Sequence, residues 1–363
     1  MLFKLQPNRV RRTYRGGGRI DGFTGAAADC RDGVPRPEDW LASTTTAFNG
    51  AEEIEGEGLG RLEDGRAVKD VVGCLPILVK LLDSDERLVI QAHPTVPCAE
   101  RLFNSRVGKT ECWYFLPGTA PDACVYLGFK PGVTRTVWEQ TVKEFSHKEH
   151  KERKEGLFTN GNCHNCSQIT NANLYNAASL RLCVKNNNPV TPAENNPLLD
   201  MLHRIPVAPG DFVFVDGGVP HAIGAGCFMV ELQEPSDLMV VAERFTPSGR
   251  RIPDAKMHGG AGWEKMFDVY GYEGLGYEEI CRKYVRRGGT QSLICGPEFT
   301  DKFSMWRIAR NGRLSLCRDQ SVVVATDGAG TVNGIAVKKG DRLLVADERS
   351  LEAEGNATLI VCS

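Results

Sequence analysis

The sequence contains no apolar run that approaches the roughly 20 residues of a membrane span, and no apolar stretch of signal-peptide length at its N-terminus. An excess of one charge is also missing, because 44 Lys and Arg residues stand against 46 Asp and Glu residues. The chain therefore lacks the large excess of positive charge that is typical of proteins that bind nucleic acid. We expect a soluble, cytoplasmic protein that binds neither membranes nor nucleic acid. The sequence does not indicate an oligomeric state.

Cysteine pairs are scarce, although the chain has 13 cysteines. The number is odd, and the residues are scattered singly, often inside apolar segments such as 180–184, which is typical of reduced, buried thiols. Cys163 and Cys166 are the exception. A Cys-x2-Cys pair suits a structural zinc, but no second pair lies near it in sequence. We therefore favour an incidental loop pair over a second metal site.

Histidine is rare too, with seven residues, and none follows His258. A length of 363 residues allows two or three domains. Short β-runs separated by turns recur between residues 291 and 363, and residues 339–346 repeat the pattern of residues 209–216. The repeat predicts two related β units, of which the second lacks the ligands of a His-based metal site and has a structural role.

Two segments more than a hundred residues apart carry the candidate metal site. Gln91 and His93 alternate on a β-like run, so period-2 geometry turns both side chains to one face. Glu111 begins a second β-rich run and His221 follows a third, and a barrel built from these strands brings all four side chains into its mouth. Two imidazoles, one carboxylate and one amide oxygen suit zinc or a similar divalent metal.

The alternative for each residue taken alone is structural. A single His in a β-run is usually a hydrogen-bonded structural residue, and a His-Pro pair such as residues 93–94 commonly ends a strand. Four suitable ligand types in this chain order favour the metal site.

These motifs resemble those of the class I mannose-6-phosphate isomerases, metal-dependent sugar isomerases built on the cupin barrel. In that family Gln-x-His-Pro, Gly-Lys-Thr-Glu and Gly-x-x-His-Ala-Ile-Gly motifs supply the metal ligands, here Gln91, His93, Glu111 and His221. Residues 231–237 are similar to the family's Glu-Ile-Gln-Gln-x-Ser-Asp segment. The similarity covers about residues 1 to 240.

The resemblance implies a mainly β protein with two cupin (jelly-roll) barrels and a helical insert. We expect a catalytic cupin domain at residues 1–285, which includes a partly helical insert at about residues 134–203. A C-terminal cupin-like domain without metal ligands follows at residues 286–363. The implied ligands are one zinc, or another divalent metal, per chain and a small-molecule sugar phosphate. Apolar spacing also predicts a helical turn at residues 38–43 and a helix over residues 68–82.

The implied reaction interconverts mannose 6-phosphate and fructose 6-phosphate through a cis-enediol. A metal orients the substrate oxygens and stabilises their negative charge, while a separate base moves the proton between carbon 2 and carbon 1. Glu231, which begins the 231–237 segment, is the candidate base; the alternative is that it anchors a metal ligand. Lys109 is the candidate for stabilising the oxyanion or binding substrate; the alternative is an exposed lysine at a strand end.

One position departs from the family pattern. The family has an Arg five residues after the Ser of this segment, and Val241 stands there. Arg244 is the nearest cation and the third catalytic candidate. Together with Arg250 and Arg251 it could bind a phosphate through paired guanidinium hydrogen bonds; the alternative is that all three belong to a solvated linker. The departure leaves two other functions open: an isomerase or epimerase of another sugar, and a non-catalytic, metal-containing sugar-binding cupin.

Overall fold

The computed structural model describes residues 1–28, 30–49, 54–154, 196–289, 291–316 and 318–363. The strands are β1 (Leu2–Lys4), β2 (Arg9–Val10), β3 (Glu38–Leu41), β4 (Leu78–Ser84), β5 (Gln91–Ala92), β6 (Glu111–Phe115), β7 (Cys124–Phe129), β8 (Leu202–Pro206), β9 (Phe212–Val215), β10 (His221–Ile223), β11 (Cys227–Gln233), β12 (Val240–Val241), β13 (Val285–Arg286), β14 (Leu293–Cys295), β15 (Met305–Ala309), β16 (Gly312–Ser315), β17 (Gln320–Asp327), β18 (Ala329–Val332), β19 (Ile335–Lys338), β20 (Arg342–Ala346), β21 (Ser350–Gly355) and β22 (Thr358–Cys362). The α-helices are α1 (Gly18–Thr24), α2 (Val68–Val72), α3 (Val96–Phe103), α4 (Arg135–Lys154), α5 (Pro197–Asp200), α6 (Asp254–His258) and α7 (Tyr277–Tyr284), and a 3-10 helix spans Met266–Val269. The protein is therefore mainly β, and no helix within these ranges has the length and apolar character that crossing a bilayer requires.

Two antiparallel sheets form the part of the molecule that carries the candidate site. One has seven strands in the order β13-β9-β6-β11-β4-β3-β2, and the other has five in the order β12-β5-β10-β7-β8. Trp113 and Leu81 of the first sheet share a core with Val125 and Ile223 of the second. Alternate residues of each strand face this core, so residues at the strand ends can meet between the sheets.

The C-terminal strands form a six-stranded sheet, β1-β20-β17-β22-β15-β14, and a four-stranded sheet, β16-β21-β18-β19. Strand β1 belongs to the former although it begins the chain, since Leu2 pairs with Val345. The expected C-terminal unit thus includes one strand from the other end of the sequence. This pairing ties the start of the chain to the C-terminal sheets.

The repeated sequence folds into the same local unit twice. Gly210 and Gly340 have φ angles of 90° and 91°, in the left-handed region that favours glycine. Each precedes a buried strand, β9 in one case and β20 in the other. The second unit is therefore a structural repeat of the turn and strand that lead towards His221.

Two helix predictions are wrong. Residues Glu38–Leu41 form strand β3, which pairs with β2 and β4. The predicted helix over residues 68–82 ends at Val72, and the apolar residues from Leu78 onwards belong to β4, which is buried along its whole length. A central strand buried on both faces has a continuous apolar run, and periodicity alone does not distinguish such a run from a buried helix.

The predicted insert is helical at both described ends. Helix α4 occupies its start and α5 lies near its close. Trp138 and Val142 of α4 are buried in one cluster with Phe129 and Leu198, as their helical spacing predicts. The middle of the insert, with Cys163 and Cys166, lies outside the described residues.

We expect Leu344→Ala to lower the free energy of unfolding by about 2–5 kcal/mol, because it leaves a cavity in a close-packed core. Leu344 of β20 is fully buried, and it belongs to the same core as Trp113 of the seven-stranded sheet. Urea unfolding followed by circular dichroism measures the change, with exposed Ile335→Ala as the control. A separate early transition of the C-terminal sheets would contradict a shared core.

Candidate metal centre and its adjoining cavity

The structure brings Gln91, His93, Glu111 and His221 together between the two N-terminal sheets. Gln91 of β5 lies opposite His221, the first residue of β10, in the five-stranded sheet. Glu111 is the first residue of β6 in the seven-stranded sheet, and His93 follows β5. The strand ends therefore deliver all four predicted ligands to one place.

The distances within this cluster fit a bound divalent ion. His93 Nε2 lies 3.2 Å from Glu111 Oε2, and His221 Nε2 lies 3.3 Å from Glu111 Oε1. The side-chain amide nitrogen of Gln91 is 3.3 Å from His221 Nε2, so the amide group of Gln91 adjoins the three residues whose ligand atoms have this spacing. Ligand atoms that share one tetrahedral ion at about 2.0 Å are about 3.3 Å apart. Both the donor types and their spacing therefore suit zinc or a similar metal.

Backbone carbonyls hold both imidazole rings. His93 Nδ1 is 3.0 Å from the carbonyl oxygen of Leu238, and His221 Nδ1 is 2.9 Å from that of Val219. A carbonyl oxygen only accepts, so each Nδ1 carries the proton and donates it. Each Nε2 then presents its lone pair to the cluster, which is the tautomer that a metal ligand needs.

Burial and local charge set the protonation states of the cluster. Burial lowers the pKa of His221 to about 3, against the opposing effect of Glu111. Burial also lowers the pKa of His93, and Lys109 adds to this effect. Burial alone would raise the pKa of Glu111, but Lys109 and His93 outweigh it and hold that pKa well below its usual range. Two neutral imidazoles and an ionised carboxylate are the forms that bind zinc.

Lys109 lies two residues before Glu111, the first residue of β6, and its side chain contacts the cluster. Its Nζ lies 2.7 Å from Glu111 Oε2 and 2.7 Å from His93 Nε2. The side chain is buried, so Lys109 is not the exposed strand-end lysine of the alternative interpretation. Its charge balances that of Glu111, and it also lines the neighbouring cavity.

A cavity adjoins the cluster and shares Gln91 and Lys109 with it. Its other charged lining residues are Arg12, Glu38, Lys80, Glu231, Asp237 and Lys256. Four of the lining side chains are Lys or Arg, whereas three are carboxylates, so the wall carries an excess of positive charge. Such a wall favours a small anionic ligand beside the metal centre.

Glu231 lies on this cavity in β11, directly opposite Lys80 of β4. Lys80 Nζ donates a hydrogen bond to Glu231 Oε1 at 2.8 Å, and both side chains are buried. Burial raises the pKa of Glu231, and the opposing charge of Lys80 does not cancel the rise. Within the described part of the chain, the hydrogen-bond partner of this carboxylate is Lys80 and not a metal ligand.

Sequence analysis missed most of the cavity. Arg12 pairs with Glu38 at 3.0 Å and with Asp237 at 3.1 Å, and neither pair follows a recognisable motif. Lys80 left one signal, since it is the only charged residue in the apolar run 75–82. A lone charge in such a run is typical of a buried, paired functional or structural group. The incorrect helix prediction for this segment obscured it.

The structure does not bring Arg244 to the cluster. Its guanidinium pairs with Asp254 at 2.8 Å, lies 5.3 Å from the ring centre of Trp263, and lines a different cavity. Strand β12 ends at Val241, so the chain has turned away before Arg244. Arg251 shares Asp254 with Arg244 and is largely exposed, as in the solvated-linker alternative. Val241 itself lines the cavity beside the cluster.

Together the fold and the site define a mainly β protein with a buried His-Glu-His metal centre beside a cationic cavity. No protein-family model matches the chain. The chain is 30% identical over 264 residues to the probable mannose-6-phosphate isomerase GmuF of Bacillus subtilis. This aligned region covers 72% of this chain and 65% of GmuF. It is also 28% identical over 162 residues to the mannose-6-phosphate isomerase ManA of the same species. That aligned region covers 45% of this chain and 35% of ManA. The similarity to these proteins supports assignment of the chain to the mannose-6-phosphate isomerase family. The matched regions span less than two thirds of the length of either relative.

Solved structures share the fold over nearly the whole chain. The mannose 6-phosphate isomerase from Bacillus subtilis superposes with a TM-score of 0.65 at 19% identity, covering 100% of this chain and 99% of that one. A mutant of the phosphomannose isomerase from Salmonella typhimurium gives 0.62 at 15% identity, with coverage of 100% and 99%. A mannose 6-phosphate isomerase bound with zinc and yttrium gives 0.60 at 14% identity, with coverage of 99% and 98%.

Proposed function

We propose that the protein interconverts mannose 6-phosphate and fructose 6-phosphate with one zinc, or another divalent metal, per chain. The observation that carries this proposal is the position of the His93, Glu111 and His221 cluster beside a cavity lined by cations and by Glu231. The names of the related proteins and the zinc-bound structural neighbour support it. We also propose a cytoplasmic location, where phosphorylated sugars are made and consumed.

The proposed architecture is two cupin barrels. The catalytic unit spans residues 1–285 with its insert at about residues 134–203, and the second unit spans residues 286–363, whose six-stranded sheet also takes in strand β1 from the catalytic unit. The single group of metal-binding side chains that the described residues contain lies in the first unit. The second unit then supports the first through the core that they share.

In the proposed mechanism, Gln91, His93, Glu111 and His221 hold the metal, which when bound polarises the sugar oxygens near carbons 1 and 2. Glu231 removes the proton from carbon 2 and returns it to carbon 1, while the hydroxyl proton of the carbon 2 oxygen passes to the carbon 1 oxygen by way of the cis-enediol. Burial raises the pKa of this carboxyl group, and a base with a pKa nearer to neutrality also re-protonates carbon more readily.

Two lysines support this step. Lys109 donates a hydrogen bond to the oxygen on carbon 1 as negative charge develops there. Lys80 orients the Glu231 carboxylate through their 2.8 Å hydrogen bond. We therefore propose catalytic roles for Glu231 and Lys109, while Arg244 lies too far into the neighbouring cavity to share them.

A coupled assay of the zinc-loaded protein tests the proposed function, with mannose 6-phosphate and free mannose as parallel substrates. We expect turnover of the phosphorylated sugar alone, and loss of that turnover after the metal is removed with a chelator. Turnover of an unphosphorylated sugar alone would instead favour the isomerase or epimerase of another sugar, the possibility that Val241 raises. Bound metal without turnover of either sugar would favour a non-catalytic sugar-binding protein.

A further inference from the structure

Three of the four cations that line the cavity are paired with carboxylates. Arg12 contacts two carboxylates, Lys80 contacts Glu231 at 2.8 Å, and Lys109 contacts Glu111 at 2.7 Å. The fourth, Lys256, forms no ion pair with any carboxylate in the described parts of the chain. Its Nζ has one hydrogen-bond partner there, a neutral side-chain oxygen of Asn49 at 3.4 Å. Among the described residues, Lys256 is therefore the one cation of this cavity that no carboxylate contacts directly, although Asp237, Glu38 and Glu57 act on it at longer range.

Burial makes this cation unusual. Lys256 is 4% exposed, and an ammonium group taken out of water without a counter-charge is strongly unfavourable. Burial, with the nearby charge of Arg12, lowers the pKa of Lys256 to about 8, so the amine is still mostly charged at pH 7. A buried, charged lysine that no described carboxylate contacts, in a cavity beside the candidate metal centre, is suited to bind an anionic group of a ligand.

The position of Lys256 links it to the metal centre through two neighbouring elements. It lies on α6, where the adjacent Met257 packs against Val241 of β12. Val241 pairs in turn with Gln91, the candidate metal ligand on β5. Lys256 and Val241 both line this cavity, so Lys256 adds a positive charge to the wall in which Val241 stands at the family's Arg position.

We propose that Lys256 binds the phosphate group of the sugar phosphate whose carbons 1 and 2 lie at the metal cluster. The inference rests on the proposed function and adds the residue that selects a phosphorylated substrate. Lys256 Nζ provides up to three hydrogen-bond donors and a positive charge, whereas Arg12, Lys80 and Lys109 are already paired. A phosphate dianion would pair directly with this ammonium group, which no described carboxylate does.

The test compares Lys256→Met with Lys265→Met, the same substitution at an exposed lysine. Isothermal titration with mannose 6-phosphate should show a dissociation constant about 10- to 100-fold higher for K256M and unchanged for K265M, the range typical of one charge-assisted contact. Inorganic phosphate should raise the thermal midpoint of the wild type and of K265M, but not that of K256M. Free mannose should bind all three proteins equally. Equal affinity of the wild type and K256M for mannose 6-phosphate would overturn the inference.

This design separates the two proposals, because titration requires no turnover. Phosphate binding that depends on Lys256 in a protein without isomerase activity would keep the inference and reject the proposed function. Mannose 6-phosphate turnover with the same KM in wild type and K256M would keep the function and reject the inference. Methionine matches the length of the lysine stem and removes a charge that is costly to bury, so K256M is expected to fold.

Discussion

We expect His221→Ala to lower zinc affinity by more than about 100-fold and to abolish sugar-phosphate turnover, since even groups that only orient metal ligands are worth about 10- to 100-fold. His221 Nε2 faces both Glu111 at 3.3 Å and the amide of Gln91 at 3.3 Å, and the ring is fully buried. Its loss removes one of two nitrogen donors and leaves a gap that no neighbouring ligand fills. Zinc per chain after dialysis, measured by mass spectrometry, and the coupled assay give the two readouts.

The matched control is His203→Ala. His203 is also buried, but its Nε2 lies 2.8 Å from the carbonyl oxygen of Leu275, away from the cluster. Both variants lose the packing of an imidazole, whereas only His221→Ala loses a candidate ligand. If His221→Ala keeps stoichiometric zinc and full turnover, the metal centre has been assigned to the wrong residues.

The second large effect is expected for Glu231→Gln. Removing a general base typically costs about 10²- to 10⁴-fold in rate, and we expect this loss in kcat with little change in KM or zinc content. The amide keeps the shape of the carboxylate next to Lys80 but cannot take a proton from carbon 2. Steady-state assays give kcat, and NMR in deuterated water follows exchange of the carbon 2 hydrogen directly.

Asp39→Asn is the control for the broken ion pair. Asp39 is buried and pairs with Arg342 at 2.6 Å, so its substitution also leaves a buried cation without its carboxylate. Both variants should lose stability, but only Glu231→Gln should lose turnover per folded molecule. Continued exchange of the carbon 2 hydrogen in Glu231→Gln would mean that Glu231 only positions Lys80 and that another group is the base.

The metal ligands could be predicted from the sequence because each belongs to a short motif. Gln91 and His93 are two residues apart on one run, and period-2 alternation alone places them on one face. Glu111 begins strand β6, as its β-rich run predicts, and His221 begins strand β10. Local pattern and donor chemistry were therefore sufficient to predict which side chains lie together in the candidate metal site.

The local pattern was insufficient where burial on two sides erased periodicity. Every residue of strand β4 is buried, so both of its faces are covered and its apolar residues do not alternate with exposed polar ones. Its one charge, Lys80, is stabilised by Glu231 from a strand far along the chain. Neither the strand nor the pair follows from the residues of this segment alone.

The sequence by itself determined the donor set, the mainly β class and the repeated turn and strand, because these depend on residue type and short-range spacing. The tertiary structure alone decided the electrostatics of the cavity, where Arg12, Lys80 and Lys256 arrive from distant elements. It also separated Arg244 from the site, and within the described ranges it gives Lys256 a contact with Asn49 and none with a carboxylate. The energy of a buried charge depends on what surrounds it in space, and sequence order does not specify those neighbours.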